Sequence, residues 1–251
     1  MWQTGRWHNI RQAMNDCSGF ISTQNRRIAQ CDNMEHVTPL TERIGGTSLV
    51  YSVSVDGKQL FMKQLRPEYN RELVYRSMFM KEYELGCRID NKHIIKYQTI
   101  DENANGLFLL AEYVKGCNIE EKITQEPEFF RNPRNTQKLL AEILDGLRAL
   151  HQVGVVHLDL KPENVMLSQV NNEVKIIDLG FAFESSYFNT AGATQKFAAP
   201  EAQRGEIDEI DARSDLYSAG KIMEYICSKC NVSLNKNTQR VVDKCLQEDK
   251  S

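Results

Sequence analysis

Two hydrophobic periods divide the chain from Val37 onward. Ser48 to Val55 is rich in β-branched residues, Asp56-Gly57 follows, and Gln59 to Gln64 returns. That pattern predicts a hairpin with a two-residue turn, since both turn positions favour positive φ. Arg71 to Ile89 reads as a helix, with apolar Leu73, Met78, Leu85 and Ile89 interleaved with charge. Lys96 to Asp101, a turn at Asn103 to Gly106, and Leu107 to Tyr113 then predict a second strand pair. Beyond Tyr113 the texture becomes helical. Thr136 to Gln152 carries Leu139, Leu140, Ile143, Leu147 and Leu150 at helical spacing, a stripe that belongs in a core. Val155-Val156 and Val174 to Ile177 are short strand-like runs, and Thr238 to Leu246 reads as a late helix. Residues 1–36 have mixed charge and little periodicity, and read as an extension whose Trp2 and Trp7 could dock on the body or on a partner.

Composition narrows the class without naming a function. A chain of 251 residues has room for one large domain or two small lobes with their own cores. With 41% hydrophobic and 26% charged residues and a net charge of −3, neither nucleic acid nor a membrane surface is expected as an obligatory partner. No apolar run approaches the length that spans a bilayer, and the first residues lack the apolar region of a signal peptide. Seven cysteines, an odd number, are scattered through the chain. That usage argues against a disulfide framework and for a cytoplasmic location. Cys227 and Cys230 form a lone C-x-x-C, for which a structural role is expected.

The chemistry concentrates in the middle. His157-Leu158-Asp159-Leu160-Lys161-Pro162-Glu163-Asn164 is followed by Lys175-Ile176-Ile177-Asp178-Leu179-Gly180. Asp159, Lys161, Asn164 and Asp178 thus fall in short loops bounded by apolar runs. The set suits phosphoryl transfer, which needs positioning and charge neutralisation more than covalent chemistry. One carboxylate can take the proton of an attacking hydroxyl, the amide and the second carboxylate can hold magnesium, and the lysine can steady the moving phosphate.

These stretches resemble the catalytic loop and the metal-binding D-F-G turn of eukaryotic-type protein kinases, H-R-D-x-K-x-x-N and D-F-G. Further motifs extend the resemblance from about residue 37 to 251. Arg43-Ile44-Gly45-Gly46-Thr47-Ser48-Leu49-Val50-Tyr51 looks like the glycine-rich loop, with Arg43 and Ser48 where the family has its first and last loop glycines. Leu60-Phe61-Met62-Lys63 stands in the place of V-A-I-K, and Glu112-Tyr113-Val114-Lys115-Gly116 resembles the hinge. Ala199-Pro200-Glu201 matches the A-P-E close of the activation segment, and Asp215-Leu216-Tyr217-Ser218-Ala219-Gly220 matches D-x-W-S-x-G.

The resemblance implies an α+β, bilobal protein-kinase-like fold. A small antiparallel sheet with one helix spans 37–111, a hinge spans 112–116, and a mainly helical, C-terminally shortened large lobe spans 117–251. It implies transfer of the γ-phosphoryl group of ATP to serine or threonine hydroxyls of a protein substrate, with Mg2+. Asp159 would be the base, Lys161 the γ-phosphate contact, and Asn164 and Asp178 the metal ligands. Lys63 would orient the nucleotide together with Glu82, the helix glutamate found by counting back from Asn91-Lys92-His93-Ile94-Ile95. Ile44, Gly45, Gly46, Val50, Lys63, Glu112, Val114 and Met166 would line the nucleotide site, the hinge residues through their backbones. Lysine two residues after the base, with Thr194 in the substrate loop, is the serine/threonine pattern. Asp215 would hydrogen-bond the catalytic-loop backbone.

Four departures keep alternatives open. Phe61 stands where the family has a small alanine over the adenine, Ala111 is a small gatekeeper, and Gly86 replaces a bulky helix residue. The arginine that pairs with the A-P-E glutamate in the family is not reached, so Glu201 is left without an assigned partner. A pseudokinase acting as a binding module and a small-molecule kinase on the same fold are the rival readings.

Overall fold

Asp56 and Gly57 take φ of 50° and 75°, and the turn they form joins β2 (Ser48–Val55) to β3 (Lys58–Leu65). The pairing is unbroken from Ser48 opposite Leu65 to Val55 opposite Lys58, which is the hairpin the alternation predicts. The computed structural model describes residues 34–40, 46–180, 182 and 196–247. β1 (Met34–Pro39), β4 (Tyr97–Asn103) and β5 (Gly106–Glu112) complete an antiparallel sheet of order β1-β2-β3-β5-β4. β1 begins at Met34, ahead of the Val37 at which strand texture starts.

The pleat sends alternate side chains to opposite faces. Val53, Leu60, Met62, Phe108 and Leu110 form one buried cluster. Leu65, Leu107, Leu109 and Ala111 face the other way and join the main core with Phe79, Tyr83 and Leu85 of α1 (Leu73–Cys87). This helix is shorter than Arg71 to Ile89. Glu72 is extended, with ψ of 115°, and no side chain caps the first turn.

After β5 come β6 (Gly116–Asn118), α2 (Ile119–Gln125) and α3 (Pro133–Gln152), so that Glu112 and Gly116, the ends of the expected hinge, lie within strands. α3 starts earlier than Thr136 because Asn132 accepts the Arg134 N–H and Pro133 fits the first turn. Its buried stripe, Leu139, Leu140, Ile143, Leu147 and Leu150, is the one read from the sequence. β7 (Val165–Ser168) and β8 (Val174–Ile176) close a small sheet with β6. Val155 and Val156 are buried but lie outside any named strand, a correction to the strand-like reading. α4 (Pro200–Arg204), α5 (Ala212–Cys230) and α6 (Lys236–Cys245) complete the described residues. The fold is α+β: an antiparallel sheet with one helix, followed by a mainly helical part.

Among the described residues, no helix is long and apolar enough to cross a membrane. Cys227, Cys230 and Cys245 are free thiols that burial pushes above the ordinary cysteine range. Such protonated thiols suit a structural role.

Candidate active site

The site is assembled by a carboxylate that is itself fully buried. Asp215 sits in the first turn of α5 and is 0% exposed. Its Oδ2 accepts the His157 N–H at 2.8 Å and its Oδ1 accepts the Leu158 N–H at 3.0 Å. His151, near the end of α3, meets Oδ2 through Nε2 at 2.8 Å. One side chain therefore ties α3, α5 and the loop between Val156 and Asn164 together. The anchoring matters because Leu158 has φ of 63°, a left-handed conformation that a leucine adopts only when its surroundings impose it. The contact expected of Asp215 is thus present.

Asp159 follows at once and is 3% exposed. Its Oδ2 accepts from Lys161 Nζ at 2.6 Å and from Asn164 Nδ2 at 3.0 Å. Asn164 Nδ2 also donates to the Asp159 carbonyl at 2.9 Å. These bonds turn the amide nitrogen toward Asp159, so the amide oxygen is its outward end. β7 carries Asn164 to Asp178. Val165 pairs with Ile176, and the Ile177 N–H donates to the Asn164 carbonyl at 3.0 Å, which brings the two strand ends together. Asp178 also has φ of 63°, and its Oδ1 accepts the Gly180 N–H at 3.2 Å.

A third group arrives from the sheet. Lys63 Nζ lies 2.7 Å from Glu82 Oε2 and 2.8 Å from Asp178 Oδ1. The ammonium thereby joins β3, α1 and the turn after β8. Burial would lower the Lys63 pKa, but Asp178 and Glu82 outweigh it and hold it above the ordinary lysine value. Burial likewise opposes ionisation of Asp178, yet Lys63 brings its pKa down to about 2. For Glu82, which is 3% exposed, burial dominates and raises the pKa, while Lys63 and the Tyr97 hydroxyl pull it back. The neighbouring glutamates Glu72 and Glu84 are exposed, so Glu82 is the buried one.

These groups open on a cavity of about 580 Å³ between the sheet and the helical part. Lys161, Asn164, Asp178, Lys63 and Glu82 line it, together with Gly46, Val50, Glu112, Val114 and Met166. Asp159 stands behind Lys161 and Asn164 and reaches the cavity through them. The Glu112 carboxylate is held at the hinge by Lys175 Nζ at 2.6 Å and the Lys96 N–H at 2.9 Å. Ile44, Gly45 and Arg43 lie outside the described residues, as do Thr194, the two tryptophans and most of the 1–36 extension. The oxygen donors of Asn164 and Asp178 are hard ligands of the kind magnesium takes, and the depressed pKa of Asp178 keeps it ionised.

Sequence reasoning missed two contacts. Ser214 Oγ donates to Glu201 Oε1 at 2.7 Å, so the A-P-E glutamate has a buried partner one motif away. Tyr97 donates through its hydroxyl to Glu82 Oε1 at 3.1 Å. The signal for the second lay in Gly86. A Cβ there would stand 2.1 Å from Tyr97 Cδ2, so glycine is what admits the ring. Gly86 is therefore a packing requirement, where the sequence suggested only a departure.

The geometry agrees with comparison to known proteins. The family model described as "Protein kinase domain" matches residues 44–250. A probable serine/threonine-protein kinase of Streptomyces coelicolor is 31% identical over 192 residues, covering 71% of this chain and 28% of that protein. A probable serine/threonine-protein kinase of Bifidobacterium longum is 31% identical over 201 residues, covering 78% and 25%. A serine/threonine-protein kinase of Mycolicibacterium smegmatis is 30% identical over 177 residues, covering 66% and 28%. The chain thus spans about a quarter of the length of these relatives. With the family match covering most of its length, the chain belongs to the protein kinase domain family.

Proposed function

We propose that this chain transfers the γ-phosphoryl group of ATP to a serine or threonine hydroxyl of a protein. The observation that carries the reading is the convergence on one cavity of two bonded groups, Asp159–Lys161–Asn164 and Lys63–Glu82–Asp178. The Asp159 carboxylate, held by Lys161 and Asn164, would orient the attacking hydroxyl and take its proton. Lys161 brings positive charge to where the transferred phosphoryl group gathers negative charge. Lys63, held by Glu82, contacts the nucleotide phosphates. Asn164 and Asp178 would hold magnesium, which when bound neutralises phosphate charge. The hinge backbone at Glu112 and Val114, with Val50 and Met166, would hold the adenine, and Gly46, with Ile44 and Gly45, would cover the phosphates. The hydroxyl oxygen forms the new bond to phosphorus, the bond to the β-phosphate bridging oxygen breaks, and ADP leaves.

The serine/threonine preference rests on Lys161 two residues after the base and on the names of the relatives. A cytoplasmic location fits a reaction that consumes ATP. Residues 37–251 would make up the catalytic domain, with 1–36 as an extension. The binding-module reading drew on the changed glycine loop, Phe61, Gly86 and the shortened C-terminal lobe; of these, Gly86 accommodates Tyr97, and Phe61 stands opposite the small Ala111 in the sheet.

The test is magnesium-dependent ATP turnover or autophosphorylation by the purified chain. Asp159→Asn and Asp178→Asn should each lower the rate by about 10²–10⁴. Rates equal to wild type in both variants would refute the mechanism.

A further inference from the structure

Resting on the phosphotransfer reading, we propose that Tyr97 is a positioning residue of this site: from β4, in space that Gly86 leaves open, its hydroxyl locks the Glu82 carboxylate to the turn that carries Asp178. The two Glu82 oxygens have different donors. Oε2 takes Lys63 Nζ at 2.7 Å and Oε1 takes the Tyr97 hydroxyl at 3.1 Å. A carboxylate bonded at one oxygen can swing about that bond, whereas one bonded at both oxygens from different elements cannot. The same hydroxyl lies 3.5 Å from the Leu179 N–H, the outer limit of a hydrogen bond. Leu179 is the residue directly after Asp178.

The ring can do this only because residue 86 has no side chain. A Cβ there would lie 2.1, 2.3 and 2.9 Å from Tyr97 Cδ2, Cε2 and Cγ, so the ring lies against the helix backbone one turn beyond Glu82. Tyr97 itself is fixed by the sheet, opposite Ala111 of β5, and is 7% exposed. α1 also packs through buried Phe79, Tyr83 and Leu85, and pairs Arg76 with Glu102 of β4 at 2.9 Å. Its first turn has no side-chain cap, and Leu73 and Val74 are 64% and 59% exposed. Tyr97 adds its contact in the second half of the helix, the half that carries Glu82. Burial and the Glu82 carboxylate hold the Tyr97 phenol well above its ordinary pKa, so it remains a donor.

Tyr97→Phe keeps the ring and removes only the hydroxyl. Steady-state kinetics should show kcat reduced about tenfold with KM for ATP within about twofold, the loss expected of one charge-assisted hydrogen bond that orients rather than binds. Amide hydrogen exchange should speed up in the second half of Leu73–Cys87. Gly86→Ala, which drives a Cβ into the ring, should do the same. A lower melting temperature with unchanged kcat, or unchanged exchange in Tyr97→Phe, would overturn the proposal. The exchange measurement does not depend on turnover. If the wild-type chain proves inactive, the phosphotransfer reading falls while the exchange result still decides whether Tyr97 anchors Glu82.

Discussion

Phe61, Ala111 and Tyr97 form a row across three strands. Ala111 of β5 stands opposite Phe61 of β3 on one side and opposite Tyr97 of β4 on the other. Ala111 is 0% exposed, and all three residues line the cavity. A small gatekeeper between two aromatic rings has a plain steric reason, because a packed row cannot take a third large side chain without displacement. Ala111→Met alone should therefore weaken ATP binding, and Phe61→Ala in the same chain should restore it. Directly facing residues couple by about 0.5–3 kcal/mol. Calorimetric ATP affinities for the four variants check this, and additive effects would mean that the two residues do not share space. The resemblance sets Phe61 and Ala111 across one pocket, and strand register adds Tyr97 on the other side of Ala111.

At the scale of elements, one carboxylate and one phenol join helices that are far apart in sequence. Asp215 of α5 accepts bonds from the loop after α3 and from His151 on α3 itself. Asp215→Ala would leave the buried His157 N–H and the partly buried Leu158 N–H without their acceptor, a buried one costing about 1–3 kcal/mol. The variant should lose about 3 kcal/mol or more in urea unfolding, and a loss below about 1 kcal/mol would show that the loop holds its shape unaided. Tyr225 of α5 donates to Glu120 Oε1 of α2 at 3.0 Å. Burial, then Glu120, pushes the Tyr225 pKa from 10 up to about 12. The folded state thus holds this proton more tightly than the unfolded chain. The contribution is complete below pH 10 and is lost as pH rises through about 12. The stability difference between wild type and Tyr225→Phe should accordingly be larger at pH 8 than at about pH 11. A difference that grows with pH would contradict the assignment.

At the scale of the molecule, the cavity exists because a sheet and a helical part meet there, and Lys63 reaches Asp178 across that meeting. In kinases whose catalytic loop reads H-R-D, the arginine can pair with a phosphate on the activation segment and so order it. Here that position is Leu158, which has no charge to offer. Ser185, Ser186 and Thr190 lie outside the described residues. Alanine at all three should leave the rate within about threefold, as measured by ATP turnover, since no arginine at position 158 waits for a phosphate. A loss of tenfold or more would mean that another cation has taken the role. The sequence determined the local parts: the hairpin at Asp56-Gly57, the buried stripe of α3, and the polar residues of the loop at 157–164 and the turn at 178–180. Each of these is written in neighbours a few residues apart, where backbone preference and periodicity act directly. The family resemblance set Glu82 beside Lys63, and the structure has Lys63 within 2.7 Å of Glu82 and 2.8 Å of Asp178. Only the tertiary structure decided that Gly86 serves Tyr97, that Ser214 answers Glu201, and that Ala111 separates two rings. Those contacts join residues whose nearness is set by strand register and helix packing. A glycine in a helix looks like a flaw until the ring that needs its space is in place.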